Sequence, residues 1–410
     1  MITTFYPPHA FGGDALFVYG LTNMLARRGY EVDVIHCVDS YRALAKEPLL
    51  AEYPNEPGVT LYGLTSGVGA LSPLATQQSG YPLFKGRKVR AILAAKRFDV
   101  IHFHNISLIG GPMILGYGEG VKLYTTHEHW LICPTHVLFK FQREACTEPE
   151  CFRCMLSYHR PPQLWRYTGM LQAALRHVDA FLAPSVFTLH RHLASGLDIP
   201  FVHLPPCVAE VPGKFSRPLE QDNLRLPTAP FFLFVGRLEK LKGLQVVIPL
   251  FRDYTEAHLV IAGDGDYAAT LKQLAAGCER IHFLGHLTPS QLRSVYARAI
   301  ALLVPSITFE TFGQVIIEAY AAHTPVIARE LGPFPEILAE SGGGLLFHTE
   351  AELREAMERL RTDRALRDRL GEAGYQAYHA RWTEEVHLQR YLQLIEEVRA
   401  RKGIIARRGM

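Results

Sequence analysis

Ten short apolar runs, almost unbroken by polar residues, recur along this chain with helical stretches between them. The runs are EVDVIHCV, DVIHFHN, KLYTTHE, DAFLAPS and FVHLPP in the first half, and FFLFVG, HLVIAG, IHFLGH, ALLVPS and TPVIA in the second. A sheet with one wet face would alternate apolar and polar residues, so continuous runs fit parallel strands covered on both faces. Stretches such as ALFVYGLTNMLARRG and AATLKQLAAG supply helices between the runs. The alternation predicts an α/β chain of doubly wound parallel sheets. MITTF is short for an opening strand.

The length of 410 residues allows two or three domains. The proline-bearing stretch from Pro205 to Pro230 interrupts the alternation and reads as the link between two Rossmann-like domains. Beyond about Glu350 the chain turns helical and charged, and no internal repeat is visible. A hydrophobic content of 48% with 20% charged residues describes a soluble globular protein. The net charge of +3 argues against a dedicated nucleic-acid binder. No apolar stretch approaches the roughly 20 residues that span a bilayer, and MITTFYPPHAFGG lacks the features of a signal peptide. A cytoplasmic setting is expected, with the seven cysteines reduced or metal-bound.

Two segments carry the chemistry. In FVGRLEKLKG, Gly236 ends a strand, and Arg237 and Lys242 follow on the loop and first helical turn. Two cations there can stabilise the charge of a departing pyrophosphate without a metal. In PSITFETFGQVIIEAYAA, Thr311, Phe312 and Gly313 are expected to open a helix whose free N–H groups face an anion. Glu310 precedes it, where it could accept from sugar hydroxyls. Glu318 lies within it, the main charge in an apolar run, and a carboxylate there needs a partner. Ribose hydroxyls would serve, as would an arginine. Acids eight residues apart are about 12 Å apart on a helix, wider than the about 5–9.5 Å of paired glycosidase carboxylates. They suit two parts of one nucleotide-sugar ligand better than an acid/base pair.

Together, GRLEKLKG and PSITFETFGQVIIEAYAA resemble the retaining glycosyltransferases of family 4, which have the GT-B fold: two Rossmann-like domains facing a central cleft. FYPPHAFGG is similar to that family's N-terminal glycine-rich loop, DVIHFHN to its Asp-x-x-His-x-His strand, and IAGDG and FLGHL to its later loops. The resemblance implies a donor site of Gly12, Gly13, Gly236, Arg237, Lys242, Glu310, Thr311, Phe312, Gly313 and Glu318. Arg237 and Lys242 would take the phosphates, Glu310 the sugar and Glu318 the ribose. His127, in TTHEHW, matches a catalytic-site histidine, and His104 and Asn105 would line the acceptor side. The implied N-domain is residues 1–206 plus a C-terminal helix, 384–410, that crosses back to it. The donor domain is 207–383. The implied reaction moves a hexose from a nucleotide diphosphate sugar, UDP or GDP foremost, to a sugar or lipid-linked acceptor. Configuration is retained, the donor phosphate accepts the acceptor's proton, and no cofactor is required. Cell-surface polysaccharide or glycolipid synthesis is the implied setting.

GDGDYA reads weakly as a dinucleotide fingerprint, and Asp264-x-Asp266 as a metal-binding pair, but a turn is the better expectation for both. Cys133, Cys146, Cys151 and Cys154 have spacing that could build a structural zinc site, with His136 or His159 as substitute ligands, or could be reduced thiols in a loop. Cys37, Cys207 and Cys278 read as isolated buried thiols. The basic run from Lys85 to Arg97, with Arg399, Arg401, Lys402, Arg407 and Arg408, is either a solvated surface or a peripheral contact with the inner face of an anionic membrane. The competing functions are another GT-B activity, such as a sugar phosphorylase or nucleotide-sugar epimerase, and a non-catalytic zinc-stabilised binding module.

Overall fold

The computed structural model describes residues 1–45, 53–208, 224 and 226–403. Most of the expected linker, 209–223 and 225, lies outside the described residues, as do Arg407 and Arg408. The chain divides into two compact units: Met1–Gln142, Glu148–Pro206 and Glu385–Met410 form one, and Arg143–Thr147 with Cys207–Glu384 form the other.

In the first unit β1 (Val32–Cys37) pairs in parallel with β2 (Val59–Leu64). Further along, β3 (Val100–Phe103) and β4 (Val121–Thr125) precede the two-residue strands β5 (Phe139–Lys140) and β6 (Glu144–Ala145), then β7 (Ala180–Ala183) and β8 (Phe201–His203). Four of these form a parallel set in the order β3-β4-β7-β8. The opening segment joins it to β1: Ile2 bridges both Ile35 and Phe103 in parallel, with Ile2 N–H donating to His102 O at 2.8 Å and Thr3 N–H to Ile35 O at 3.0 Å. The short segment MITTF is thus an inner member of the sheet.

The second unit holds six parallel strands: β9 (Phe231–Val235), β10 (His258–Ala262), β11 (Ile281–Gly285), β12 (Leu302–Val304), β13 (Val326–Arg329) and β14 (Gly344–Phe347). Their spatial order is β11-β10-β9-β12-β13-β14. Successive residues face opposite ways. Phe232, Phe234, Leu259 and Ile261 enter one core, while Phe231, Leu233, Val260 and Val304 enter another. Both faces are covered, hence the unbroken apolar runs. Each such side chain stabilises the fold by about 1.5–3 kcal/mol when fully buried. The strand order reverses between β9 and β12, so their carboxyl ends lie side by side, and such a switch point is where an open α/β sheet presents a ligand crevice.

At the edge of this unit Val208 and Thr383 form a parallel bridge, and Val208 N–H donates to Trp382 O at 3.1 Å. The helix Glu384–Arg401 then packs on the first unit. Tyr391 Oη lies 2.9 Å from His102 Nδ1, His387 Nδ1 donates to Pro205 O at 2.8 Å, and Lys402 Nζ reaches Asp179 at 2.8 Å.

Candidate active site

The loops after β9 and β12 bring the two motif segments together. Gly236 leaves β9 with φ of 147°, and one 3-10 turn, Lys240–Lys242, ends at Gly243 with φ of 77°. A Cβ on Gly243 would stand 2.0 Å from Pro305 O, the second residue beyond Leu303 in the chain leaving β12. Only glycine permits this approach. Ile307 N–H bonds Leu241 O at 2.9 Å, and Lys242 Nζ consequently donates to Glu310 Oε1 at 2.9 Å across 68 residues. Ser306 Oγ donates to the same oxygen. Burial alone would raise the Glu310 pKa, but Lys242, Ser306 and the charge of Arg237 together hold it below the usual carboxylate range. Arg237 itself is over half exposed and pairs with Glu239 at 3.0 Å.

The helix beyond this loop is Gln314–Ala321, with Gly313 at its N-cap in left-handed conformation, φ 108°. It begins three residues later than expected, because Thr311, Phe312 and Gly313 carry the chain from β12 to the helix, with Gly313 as its N-cap. A Cβ on Gly313 would meet the Phe334 ring at 2.8 Å. Phe312 is buried edge-on to Trp382. Gly313 has no side chain to cap the helix, so its first N–H groups suit an anion. Glu318 lies one turn inside. Burial raises its pKa, and the Tyr296 hydroxyl, donating to Oε2 at 3.0 Å, opposes that rise.

In the first unit, Gly12 opens the helix Gly12–Arg27 with φ of 75°, and Gly13 is exposed. His127 follows β4. Its Nε2 and His104 Nδ1 share a hydrogen bond of 2.9 Å, and its ring lies 5.2 Å from Phe17. Burial, with the nearby His387, lowers the His127 pKa to about 3. His102 is anchored through Nε2 to Thr125 Oγ1 at 2.8 Å. His104 and Asn105 are buried; Asn105 Oδ1 accepts from Ser107 Oγ at 2.9 Å and is occupied in its own turn.

Residues 11–209 match the family model Glycosyltransferase Family 4, and 216–377 match Glycosyl transferases group 1. The chain is a glycosyltransferase of the family 4 type. A D-inositol 3-phosphate glycosyltransferase of Pseudarthrobacter chlorophenolicus is 27% identical over 93% of this chain and 90% of its own length. An uncharacterised glycosyltransferase of Methanocaldococcus jannaschii is 27% identical over 84% and 83%. The fold is GT-B. Sucrose-phosphate synthase from Thermosynechococcus elongatus superposes with a TM-score of 0.73 at 20% identity, covering 97% of this chain and 98% of that one. Anabaena HepE in complex with UDP-glucose gives 0.67 at 17% identity, covering 97% and 99%.

The remaining features of this glycosyltransferase are structural. In GDGD, Gly265 N–H donates to Asp264 Oδ1 at 2.7 Å and Leu238 N–H to Asp264 O at 2.9 Å, a turn packed against the loop after β9. Spacing leaves both zinc and reduced thiols open for Cys133, Cys146, Cys151 and Cys154; among the described residues no three His, Cys, Asp or Glu gather as a metal site. Cys133 Sγ contacts Thr135 Oγ1 at 3.2 Å, while Cys154 Sγ accepts from Phe141 N–H at 3.4 Å. His136 bonds Glu128 at 2.8 Å instead. Cys278 is half-buried, its thiol donating to Phe251 O at 3.3 Å. Lys85, expected on a basic surface, is buried against Asp39 at 3.0 Å. Sequence reasoning missed Ser306, in the loop beyond β12, and Tyr296, at the end of the helix Pro289–Tyr296, because their partners Glu310 and Glu318 are supplied by the fold. No helix of the described residues is long and apolar enough to cross a membrane.

Proposed function

We propose that this glycosyltransferase moves a hexose from a nucleotide diphosphate sugar to a hydroxyl acceptor with retention of configuration. The supporting observation is the cluster at the carboxyl ends of β9 and β12, where Lys242 and Glu310 are paired beside Arg237 and the N-terminus of the helix Gln314–Ala321. Arg237, Lys242 and the helix N–H groups from Gly313 onward would take up charge as the diphosphate leaves. Glu310, ionised at neutral pH, would accept from the sugar's hydroxyls, and Glu318 from the ribose. A donor phosphate oxygen would take the acceptor's proton as the acceptor attacks from the leaving-group side. No metal enters this scheme. His127, with Gly12, Gly13, His104 and Asn105, would be the first unit's contribution to sugar and acceptor.

HepE's complex with UDP-glucose favours a UDP sugar as the first donor to try. Acceptors of surface polysaccharide or glycolipid assembly, on the cytoplasmic side of a membrane, are the fitting class. The test is to incubate the enzyme with UDP-, GDP-, ADP- and dTDP-hexoses and a panel of sugar and lipid-linked acceptors. Acceptor-dependent nucleotide release and an axial anomeric coupling constant carried from an α-donor to product are expected. Inverted product would overturn the retaining assignment. A requirement for inorganic phosphate, or product without acceptor, would replace transfer by phosphorolysis or epimerisation.

A further inference from the structure

We propose that Tyr296 is the positioning residue for Glu318 and sets a preference for nucleotides with an intact ribose diol. The inference rests on the reading above that Glu318 holds the donor's ribose.

Tyr296 ends the helix Pro289–Tyr296, and its ring is fully buried in the core shared with Leu233, Val304 and Ile316. Thr324 Oγ1 donates to its backbone carbonyl at 2.7 Å, which fixes the helix end from which the ring projects. The phenol has one proton and two acceptors in reach: Glu318 Oε2 at 3.0 Å and Val315 O at 3.4 Å. A backbone carbonyl only accepts, and the phenol donates to the nearer partner, Glu318 Oε2. Burial, with the negative Glu318 beside it, keeps the phenol protonated.

Glu318 depends on this bond. It stands in the apolar stretch QVIIEAYA. Among the described residues no lysine, arginine or histidine forms an ion pair with it, and Tyr296 is its recorded hydrogen-bond partner. A carboxylate so placed would otherwise rotate and tend toward its neutral form. With Oε2 held by Tyr296, the plane of the carboxylate is fixed and Oε1 keeps its lone pairs for a ligand. A vicinal diol donates two O–H groups to such an edge. A nucleotide lacking them leaves a desolvated carboxylate unpaired, and sites built this way reject the missing-hydroxyl analogue strongly. A freely rotating carboxylate would discriminate less.

The test is calorimetric titration of UDP, GDP and ADP, each with its 2′,3′-dideoxy counterpart, into wild type, Tyr296→Phe and Glu318→Gln. Circular dichroism melts confirm that each variant is folded. Tyr296→Phe should weaken the preferred ribonucleotide about tenfold or more and leave the dideoxy form within about twofold. Glu318→Gln should erase the preference between the two forms. Equal weakening of both forms by Tyr296→Phe would mark a packing role and overturn the proposal, as would unchanged ribonucleotide binding. If Glu318→Gln erases the preference in those cases, the ribose reading of Glu318 still stands. A preference that survives Glu318→Gln would overturn both.

Discussion

Lys242 Nζ stands 2.9 Å from Glu310 Oε1, so the cation proposed for a donor's phosphates and the carboxylate proposed for its sugar are partners before any ligand binds. Lys242 is 28% exposed and Glu310 16%, dry enough for each to lose heavily without the other. On the proposed reading, donor binding redistributes an existing pair.

The first prediction concerns that pair. Glu310→Ala should lower kcat about 100- to 1000-fold, the usual cost of removing one preorganised polar group from a transition state. Lys242→Ala should also raise the donor KM. The double variant should lose less than the sum of the two, by at least about 1 kcal/mol in a double-mutant cycle of kcat/KM. Additive losses would mean the two act separately, and near-wild-type kinetics in both would remove them from the site.

Gly243 provides a stability prediction. Gly243→Ala adds a positive-φ penalty of about 1–2 kcal/mol to a Cβ placed 2.0 Å from Pro305 O. Gly277 has a similar φ, 79°, with nothing within 4 Å, so Gly277→Ala carries the backbone penalty alone. Gly243→Ala should lower Tm by roughly 5 °C more than Gly277→Ala, and should displace Lys242 enough to reduce turnover. Equal melting shifts would show that the loop yields.

Acid should destabilise the enzyme through its buried histidines. Burial lowers His36, His192 and His387 to about 4 each. The unfolded chain binds protons near 6.5, so between pH 6.5 and 4 it holds more protons than the native state, and stability falls as pH drops through that window. His192 Nδ1 donates to Thr188 O at 2.7 Å, a bond that Asn could keep. His192→Asn should reduce the slope of unfolding free energy between pH 5 and 6 by one proton, about 1.4 kcal/mol per pH unit. An unchanged slope would mean His192 is not held neutral.

The basic helix Gly86–Ala95 leads to the membrane prediction. Arg87, Lys88 and Arg90 are exposed there, and the segments before it expose Leu71 at 63%, Leu83 at 59% and Phe84 at 47%. Vesicles with anionic headgroups should carry the protein on flotation, in a manner weakened by salt and by Leu83→Ser with Phe84→Ser. Protein left at the bottom of the gradient at low salt would remove membrane contact from the proposed setting.

Which features could be read beforehand follows from how local their causes are. The ten apolar runs needed only burial on both faces, and each contains a strand. Besides the two-residue β5 and β6, two strands escaped: β2 is half exposed along VTLYGL, and β14 is four residues emerging from a glycine run. Both are edge strands, where one-sided burial blurs the pattern. Glu318 visibly needed a partner, but nothing local showed that a tyrosine 22 residues earlier would supply it. For the cysteines the sequence left zinc and reduced thiols open: spacing says which thiols could meet, while among the described residues no three His, Cys, Asp or Glu gather as a metal site.

The helix Glu384–Arg401 gives the order of synthesis a structural meaning. The first unit needs it to supply Tyr391 beside His102 and His387 beside Pro205, yet all of Cys207–Glu384 must leave the ribosome first. At about 5–20 residues per second that interval is roughly 10 to 40 s. Throughout it the nascent first unit carries an unfilled helix site, with His102 and its neighbours open to water or to a chaperone. The second unit, continuous apart from Arg143–Thr147 and closed at its base by Val208 and Thr383, can complete most of its packing meanwhile.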